Sequence, residues 1–183
     1  IGPLANAPHE QLGTWAFDGE KEHTNTPLLA YKNANANFKF AKGLTHSRDT
    51  SKKRFNEAIK VAKNADIILF FGGEEAILSG EAHSRANIDL PGAQEELIGE
   101  LAKTGKPIVL VIMAGRPITI TNIIDKTDAV LMAWHPGTMG GEALYEVLHG
   151  IKSPEGRLPI SWPKTAGQLP FFYNHKNTGR PAD

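Results

Sequence analysis

The chain has 183 residues, with 20 Lys and Arg against 20 Asp and Glu, seven His and no Cys. One domain of this size buries enough apolar surface to fold unaided, and the lack of Cys excludes a disulfide framework, a thiolate zinc site and a cysteine nucleophile. A formal net charge of zero gives no long-range attraction to phosphate backbones or anionic lipids, so neither nucleic acid nor membrane is expected as a partner.

The first third of the chain predicts little regular structure. Its opening, Ile1-Gly2-Pro3, is typical of the last residue of a strand that runs into a turn, which would put the rest of that strand upstream. A helix is predicted over 26–35, where Pro27 suits the first turn, and Phe38-Lys39-Phe40 alternates as a short strand does.

Three continuous apolar runs, at 67–71, 108–113 and 129–134, predict strands covered on both faces. Amphipathic helices are predicted over 52–64, 91–104 and 141–149. This alternation indicates an α/β three-layer sandwich, with a mostly parallel open sheet of about five to six strands and helices on both faces. A short edge strand is predicted at 158–162, because its flanking prolines exclude a central position.

A long polar connection follows the first of these apolar runs. It extends from Gly72-Gly73 to Pro91, whereas loops between a strand and a helix usually have 2–6 residues. Open α/β sheets bind ligands outside the carboxyl ends of their strands, so this loop is a candidate site. A solvated loop in which Arg85 pairs with a nearby carboxylate is the simpler interpretation, and it stays open at this point.

Ordered motifs extend from this loop to the end of the chain. They are Ser79-Gly80-Glu81-Ala82-His83-Ser84-Arg85, Ile88-Asp89-Leu90-Pro91, Gly115-Arg116-Pro117, Trp134-His135-Pro136-Gly137, the stretch 156–163 and the tail 173–181. In this order they resemble glycoside hydrolase family 3, and its bacterial β-glucosidase branch in particular. By that resemblance, residues 1–183 are the second, α/β sandwich domain of such an enzyme, and its amino-terminal (β/α)₈ barrel is absent.

The resemblance implies a retaining hydrolase of β-linked glucosides and related sugars, in which the barrel supplies an aspartate nucleophile. The family's general acid/base glutamate stands four residues before the Arg of the loop motif, a position that Glu81 holds ahead of Arg85. A barrel takes about 250 residues, so the isolated chain is expected to be inactive. The expected partners are the barrel and a β-linked oligosaccharide or glycoside. No cofactor is expected, and the parent enzyme is expected to be periplasmic or secreted.

Three further loop residues are candidates for binding substrate or orienting the loop. Glu74 is favoured as a hydrogen-bonded structural carboxylate, His83 as a loop-packing or substrate-rim residue, and Arg85 as the partner in a salt bridge that fixes the loop. The alternative for the whole chain is a non-catalytic module for carbohydrate binding or interdomain docking. In that case Glu81 is merely a solvated loop residue.

Several other patterns carry weaker predictions. The seven His lack the pairing of a zinc-binding helix, so no metal site is predicted, and Gly137, Gly140 and Gly141 favour a tight turn over a nucleotide site. Exposed apolar surface is predicted near Trp15, Trp134 and Phe171-Phe172, where a barrel would pack, and it could support a homodimer. Without a barrel, the loop 73–90 is expected to be mobile.

Overall fold

A computed structural model describes residues 1–176 of the chain. Strands β1 (Ile68–Gly73), β2 (Ile108–Met113) and β3 (Ala129–Met132) form one sheet in the order β1-β2-β3. Both neighbouring pairs are parallel. The carboxyl ends of the strands therefore lie at one edge of the sheet, which confirms the parallel α/β class predicted from the apolar runs.

The predicted helices are also confirmed, with slightly different ends. Thr26 caps the helix that was predicted over 26–35: the Leu29 N–H donates to the Thr26 hydroxyl oxygen at 3.3 Å. No helix within residues 1–176 is long and apolar enough to cross a lipid bilayer. In this range the helices are α1 (Pro8–Leu12), α2 (Pro27–Asn33), α3 (Phe55–Lys63), α4 (Gln94–Ala102) and α5 (Gly140–Leu148), with 3₁₀ helices at Lys21–His23, Ala76–Leu78, Ile124–Lys126 and Ala166–Gln168.

Two apolar cores lie on the two faces of the sheet. Helices α3 and α4 pack over one face, where Phe70, Leu97 and Leu110 are fully buried. The smaller core on the other face joins Phe71 to Leu144 of α5, and α2 packs against α5. Successive residues of a strand point to opposite faces, which is why adjacent Phe70 and Phe71 enter different cores.

The prediction of five to six strands is wrong for the described residues, whose sheet has three. Residues 38–40 lie across a groove from β1, and within residues 1–176 no strand lies beside them to pair with their backbone. The predicted strand at 158–162 is irregular, since Pro159 lacks the N–H that a ladder needs. β3 is also more exposed than predicted: its first two residues, Ala129 and Val130, are exposed and the next two are half-buried. The motif residues 177–181 lie outside the described part.

The first residue of the chain lies beside β1. The Ile1 amino group donates to the Leu69 carbonyl at 2.8 Å, and the Phe71 N–H donates to the Ile1 carbonyl at 2.9 Å. These two bonds are one rung of a parallel ladder in which Ile1 stands opposite Phe70. Ile1 therefore pairs with β1 as the last residue of a strand would, which agrees with the prediction from Ile1-Gly2-Pro3.

Candidate active site

The loop 74–93 leaves the carboxyl end of β1 and crosses to α4. Its first backbone N–H, that of Glu74, donates to the carbonyl of Met113 at the end of β2, at 2.9 Å. Gly73 has a φ of +134°, and a Cβ there would lie 1.9 Å from the Met113 carbonyl oxygen. Only glycine fits this close approach, which starts the loop where two neighbouring strands end.

The side chain of Glu74 is fully buried between two arginines. Arg85 donates from Nη1 to Oε1, and Arg116 donates from Nε to Oε2 at 3.2 Å. The Ser79 hydroxyl also donates to Oε2, at 3.1 Å. A carboxylate removed from water is tolerated only when it is paired and hydrogen-bonded in this way.

The two arginines also hold the backbone of the loop. Arg85 donates from Nη2 to the carbonyl of Asp89 at 3.0 Å. Arg116, which follows β2, donates from Nη2 to the carbonyl of Leu78 and to that of His83 at 2.8 Å. The ion cluster of Glu74, Arg85 and Arg116 therefore fastens the loop to the ends of two strands.

Glu75 makes a second anchor on the other side of the loop. It accepts from the Ser47 hydroxyl at 2.7 Å and from two guanidinium nitrogens of Arg48, each at 3.1 Å. Burial raises the pKa of Glu75, but the hydrogen bonds from Arg48 and Ser47 outweigh burial and bring it to about 2. Glu75 is thus a permanently ionised structural group near neutral pH.

The segment around α1 clamps the loop from a third side. Glu10 accepts from the Ala76 N–H at 2.6 Å, and the Thr14 hydroxyl donates to the carbonyls of Ala76 and, at 2.7 Å, Ser79. Trp15, the neighbour of Thr14, has 58% of its surface exposed. An exposed aromatic residue therefore stands next to the anchored part of the loop.

Beyond these anchors the loop turns outward. Glu81 is exposed, and its carboxylate has no hydrogen-bond or ion-pair partner among residues 1–176. Ala82 follows in the left-handed region, with a φ of +61°. His83 turns back to the loop, and its Nδ1 lies 2.8 Å from the Ser79 carbonyl oxygen. Of the four carboxylates in the loop, those of Glu74, Glu75 and Asp89 accept hydrogen bonds from other side chains. The carboxylate of Glu81 faces solvent instead.

Two residues of this site escaped the sequence analysis as candidates. Arg116 completes the ion cluster although it lies 42 positions from Glu74. Its position just after β2 could have indicated this, because the carboxyl ends of neighbouring parallel strands lie together. His135 packs against Gly13 and Gly115, and both ring nitrogens are buried without a partner in the described residues. Burial lowers the pKa of His135, which keeps the imidazole neutral.

The remaining sequence candidates serve packing. A Cβ on Gly141, in the first turn of α5, would lie 2.3 Å from the Thr26 carbonyl oxygen, so this glycine allows close packing, as predicted. Trp134 is half-buried, with its ring centroid 6.3 Å from that of Trp162, and does not form the exposed patch expected of it. Phe171 and Phe172 are exposed, like Trp15, in agreement with the prediction.

The fold is a parallel α/β sandwich with a long polar loop across its carboxyl edge, where open sheets of this class bind their ligands. The family model for the glycosyl hydrolase family 3 C-terminal domain matches residues 1–182, and the chain belongs to this family.

Named relatives and solved structures agree with this assignment. The chain is 37% identical to a periplasmic beta-glucosidase of Salmonella typhimurium, over 99% of the chain and 26% of that protein. It is 33% identical to a beta-xylosidase of Formosa agariphila, over 94% of the chain and 25% of that protein. The crystal structure of a beta-glucosidase from Listeria innocua in complex with isofagomine superposes with a TM-score of 0.91 at 33% identity, over all of this chain and 25% of that one. The chain thus spans about a quarter of the length of these relatives.

Proposed function

We propose that this chain is the acid/base-donating domain of a retaining β-glycosidase and that Glu81 is its general acid and base. The observation that supports this proposal most is the division among the loop carboxylates. Glu74, Glu75 and Asp89 are held by partners, whereas Glu81 lies exposed and unpaired within residues 1–176. A group that exchanges protons with a substrate needs to be reached by it, and of these four Glu81 meets that condition.

Retaining hydrolysis needs two carboxyl groups about 5–5.5 Å apart. The first attacks the anomeric carbon and forms a glycosyl-enzyme intermediate, while the second gives its proton to the departing glycosidic oxygen. The second group then takes a proton from the water that releases the sugar. Glu81 would be this second group, and the nucleophile would be an aspartate of the barrel domain.

The ion cluster of Glu74, Arg85 and Arg116 has a positioning role in this proposal. Both oxygens of Glu74 are engaged and its side chain is sealed from solvent, so it neither attacks nor protonates a sugar. By holding the carbonyls on either side of the outward turn, the arginines fix where Glu81 emerges. His83 stays at the rim of the site, hydrogen-bonded to the loop itself.

The barrel is expected to dock on the side of the loop that carries exposed aromatic residues. Trp15 and Phe17 are 58% and 85% exposed, with ring centroids 6.0 Å apart, beside the Thr14 clamp. The relatives named above are a beta-glucosidase and a beta-xylosidase, so the substrate class we propose is a β-glucoside or β-xyloside. The relative named periplasmic supports a parent enzyme in the periplasm or outside the cell.

The test is a Glu81→Gln change in the full-length parent enzyme. General acid–base catalysis contributes about 10²–10⁴ in rate, so kcat/KM for glycosides with poor leaving groups should fall by that factor. Activated aryl glycosides, which need less protonation, should lose much less. A Glu57→Gln change on the exposed side of α3 is the control and should leave both rates unchanged. Equal, negligible losses for both variants would instead favour a docking or sugar-binding module.

The 183-residue chain by itself should not hydrolyse a β-glucoside above the buffer rate, because half of the catalytic pair is missing. Turnover by the purified chain well above the buffer rate, and lost on Glu81→Gln, would contradict the division of labour between two domains.

A further inference from the structure

The imidazole of His135 lies at the base of the loop 74–93, among the segments that anchor this loop. We propose that His135 is a positioning residue: its neutral ring holds the base of the loop in place, and a proton taken up by the ring releases it. Because Glu81 stands on this loop, the consequence for catalysis rests on the function proposed above. The contact itself does not depend on that function.

The ring fills a space between two glycines of different segments. A Cβ on Gly13, just after α1, would lie 2.7 Å from the Cγ of His135, and a Cβ on Gly115, just after β2, would lie 3.0 Å from its Nε2. The same point beside Gly115 lies 2.5 Å from the hydroxyl oxygen of Ser79. The ring therefore stands where the α1 segment, the end of β2 and the loop meet.

Ser79 connects this contact to the ion cluster. Its hydroxyl oxygen accepts from the Gly115 N–H at 3.2 Å, and its O–H donates to Oε2 of the buried Glu74 at 3.1 Å. Ser79 lies two residues before Glu81. A displacement of the His135 ring would thus reach the outward turn through a single neighbouring residue.

The backbone beside His135 is strained. Trp134 has a φ of +55°, in the left-handed region that bulky side chains rarely adopt. Its carbonyl accepts from the Ala114 N–H at 3.1 Å, and its ring centroid lies 6.3 Å from that of Trp162, so packing on both sides maintains this conformation. Strain of this kind persists only where the surrounding structure enforces it, and it is concentrated at functional sites. Here it turns the chain after β3, and the next side chain enters the space between the glycines.

The surroundings of the ring suit its neutral form. Both ring nitrogens of His135 are buried and have no hydrogen-bond partner within residues 1–176. An imidazolium has two N–H donors and a full charge, and burying these without acceptors is costly. The charged groups around the ring are Glu10 and Glu74, and Glu74 is already paired with Arg85 and Arg116. Burial lowers the pKa of His135 in spite of these two carboxylates and the nearby Glu10 carbonyl.

Mild acid should therefore loosen the base of the loop. The folded pKa of His135 lies below its ordinary value of 6.5, so the stabilisation is present above that pH and is lost as the pH falls toward the folded value. One proton changes an opening equilibrium by at most about tenfold per pH unit, and we expect hydrogen-exchange protection of the Ser79 and Gly115 amides to fall at least about threefold between about pH 7.5 and 5.5. The Leu97 amide, bonded to Ala93 on the other face of the sheet, should lose much less protection. Equal losses at all three amides would overturn the proposal, because they would indicate global unfolding.

Matched variants assign the effect to one histidine. His135→Phe keeps a flat ring that binds no proton, and it should abolish the loss of protection at Ser79. His23→Gln, at a residue with 74% of its side chain exposed, should preserve this loss. The unaltered chain gives an independent measurement, because the ring proton signals of His135 should titrate at a lower pH than those of His23. Titration of His135 at the same or a higher pH, or an unchanged acid response in His135→Phe, would overturn the proposal.

The full-length enzyme tests the consequence for catalysis. The acid limb of its pH profile for kcat/KM should move to lower pH in His135→Phe and stay in place in His23→Gln. An unchanged acid limb in His135→Phe would contradict the positioning of Glu81 by this ring. The failure of the proposed function is a separate result: it shows as an absent effect of Glu81→Gln at a single pH, whereas the exchange and titration data on His135 would stand.

Discussion

The Nε of Arg116 lies 3.2 Å from Oε2 of Glu74, across the carboxyl ends of two neighbouring strands. Arg116 comes just after β2 and Glu74 just after β1, so this ion pair fixes the loop to the sheet rather than to itself. The outward turn that carries Glu81 begins a few residues further along. The buried Glu74–Arg116 contact therefore lies at the base of the turn on which we propose the acid/base to stand.

Removing Arg116 should destabilise the whole domain. Arg116→Ala leaves the fully buried Glu74 with one guanidinium instead of two, and breaking a buried pair costs about 3–5 kcal/mol. We expect the free energy of unfolding, measured by urea denaturation, to fall by about 3 kcal/mol. Lys103→Ala, which breaks the exposed pair with Glu100, should cost less than about 1 kcal/mol. Similar small losses for both variants would show that the cluster does not hold the loop.

Two glycines give opposite expectations for the same substitution. Gly73→Ala places a Cβ against the Met113 carbonyl and should separate β1 from β2, lowering the free energy of unfolding by more than about 3 kcal/mol. Gly99→Ala lies inside α4, with nothing within 4 Å of the new Cβ, and should raise it by up to about 1 kcal/mol. Thermal or urea unfolding of the two variants would decide the matter, and a stable Gly73→Ala protein would refute the close approach.

Acid should weaken the domain through Glu75. Its folded pKa is about 2, below the ordinary value of 4.5, so the folded state favours the ionised form. The stabilisation is therefore complete above pH 4.5 and is lost as the pH falls toward 2. In Glu75→Gln the fall of the urea midpoint between pH 5 and 2.5 should be shallower, though not abolished, because the pKa of Asp49 is also lowered to about 2 by hydrogen bonds from Thr45 and Ser51. A Glu57→Gln control should follow the unaltered chain, and identical curves for all three proteins would contradict this role.

The loop is expected to be most mobile at its outward turn. Residues 74–79 are anchored by Glu10, Thr14, Ser47 and the ion cluster, whereas the amides of Glu81 and Ala82 have no backbone partner within the described range. Hydrogen exchange at these two amides should be fast compared with that of β1, and it should slow when the chain is part of the full-length enzyme. Equal protection along the entire loop in the isolated chain would contradict this expectation.

Local patterns were enough to predict much of this fold. The apolar run at 108–113 and the helical periodicity of 52–64 depend on neighbouring residues only, and both were confirmed as β2 and α3. The strand predicted for Phe38-Lys39-Phe40 failed for a non-local reason: a strand exists only when another backbone lies beside it, and the position next to this segment is an open groove. The sheet is narrower than predicted for the same reason.

For the candidate site, too, some features could be predicted from the local sequence and others could not. The length and polarity of the loop identified where chemistry could occur, and resemblance singled out Glu81 within it. Nothing local to Glu74 indicated that it would bind Arg116, since the two meet only after β1 and β2 have paired. The exposed Glu81 was thus a candidate from the sequence, whereas the contacts that anchor its loop became visible only in the fold.

The most direct test of the account is chemical rescue of Glu81→Ala in the full-length enzyme. Without the carboxylate, the glycosyl-enzyme intermediate formed from an activated aryl β-glycoside should accumulate, because no base takes the proton from water. Azide needs no such base, and its attack on the anomeric carbon displaces the aspartate and gives a glycosyl azide of retained configuration. We predict that added azide restores turnover by at least about tenfold and yields this β-glycosyl azide, in line with the size of general base catalysis. A slow Glu81→Ala enzyme that azide neither accelerates nor converts to the azide product would contradict the assignment of Glu81 as the acid/base.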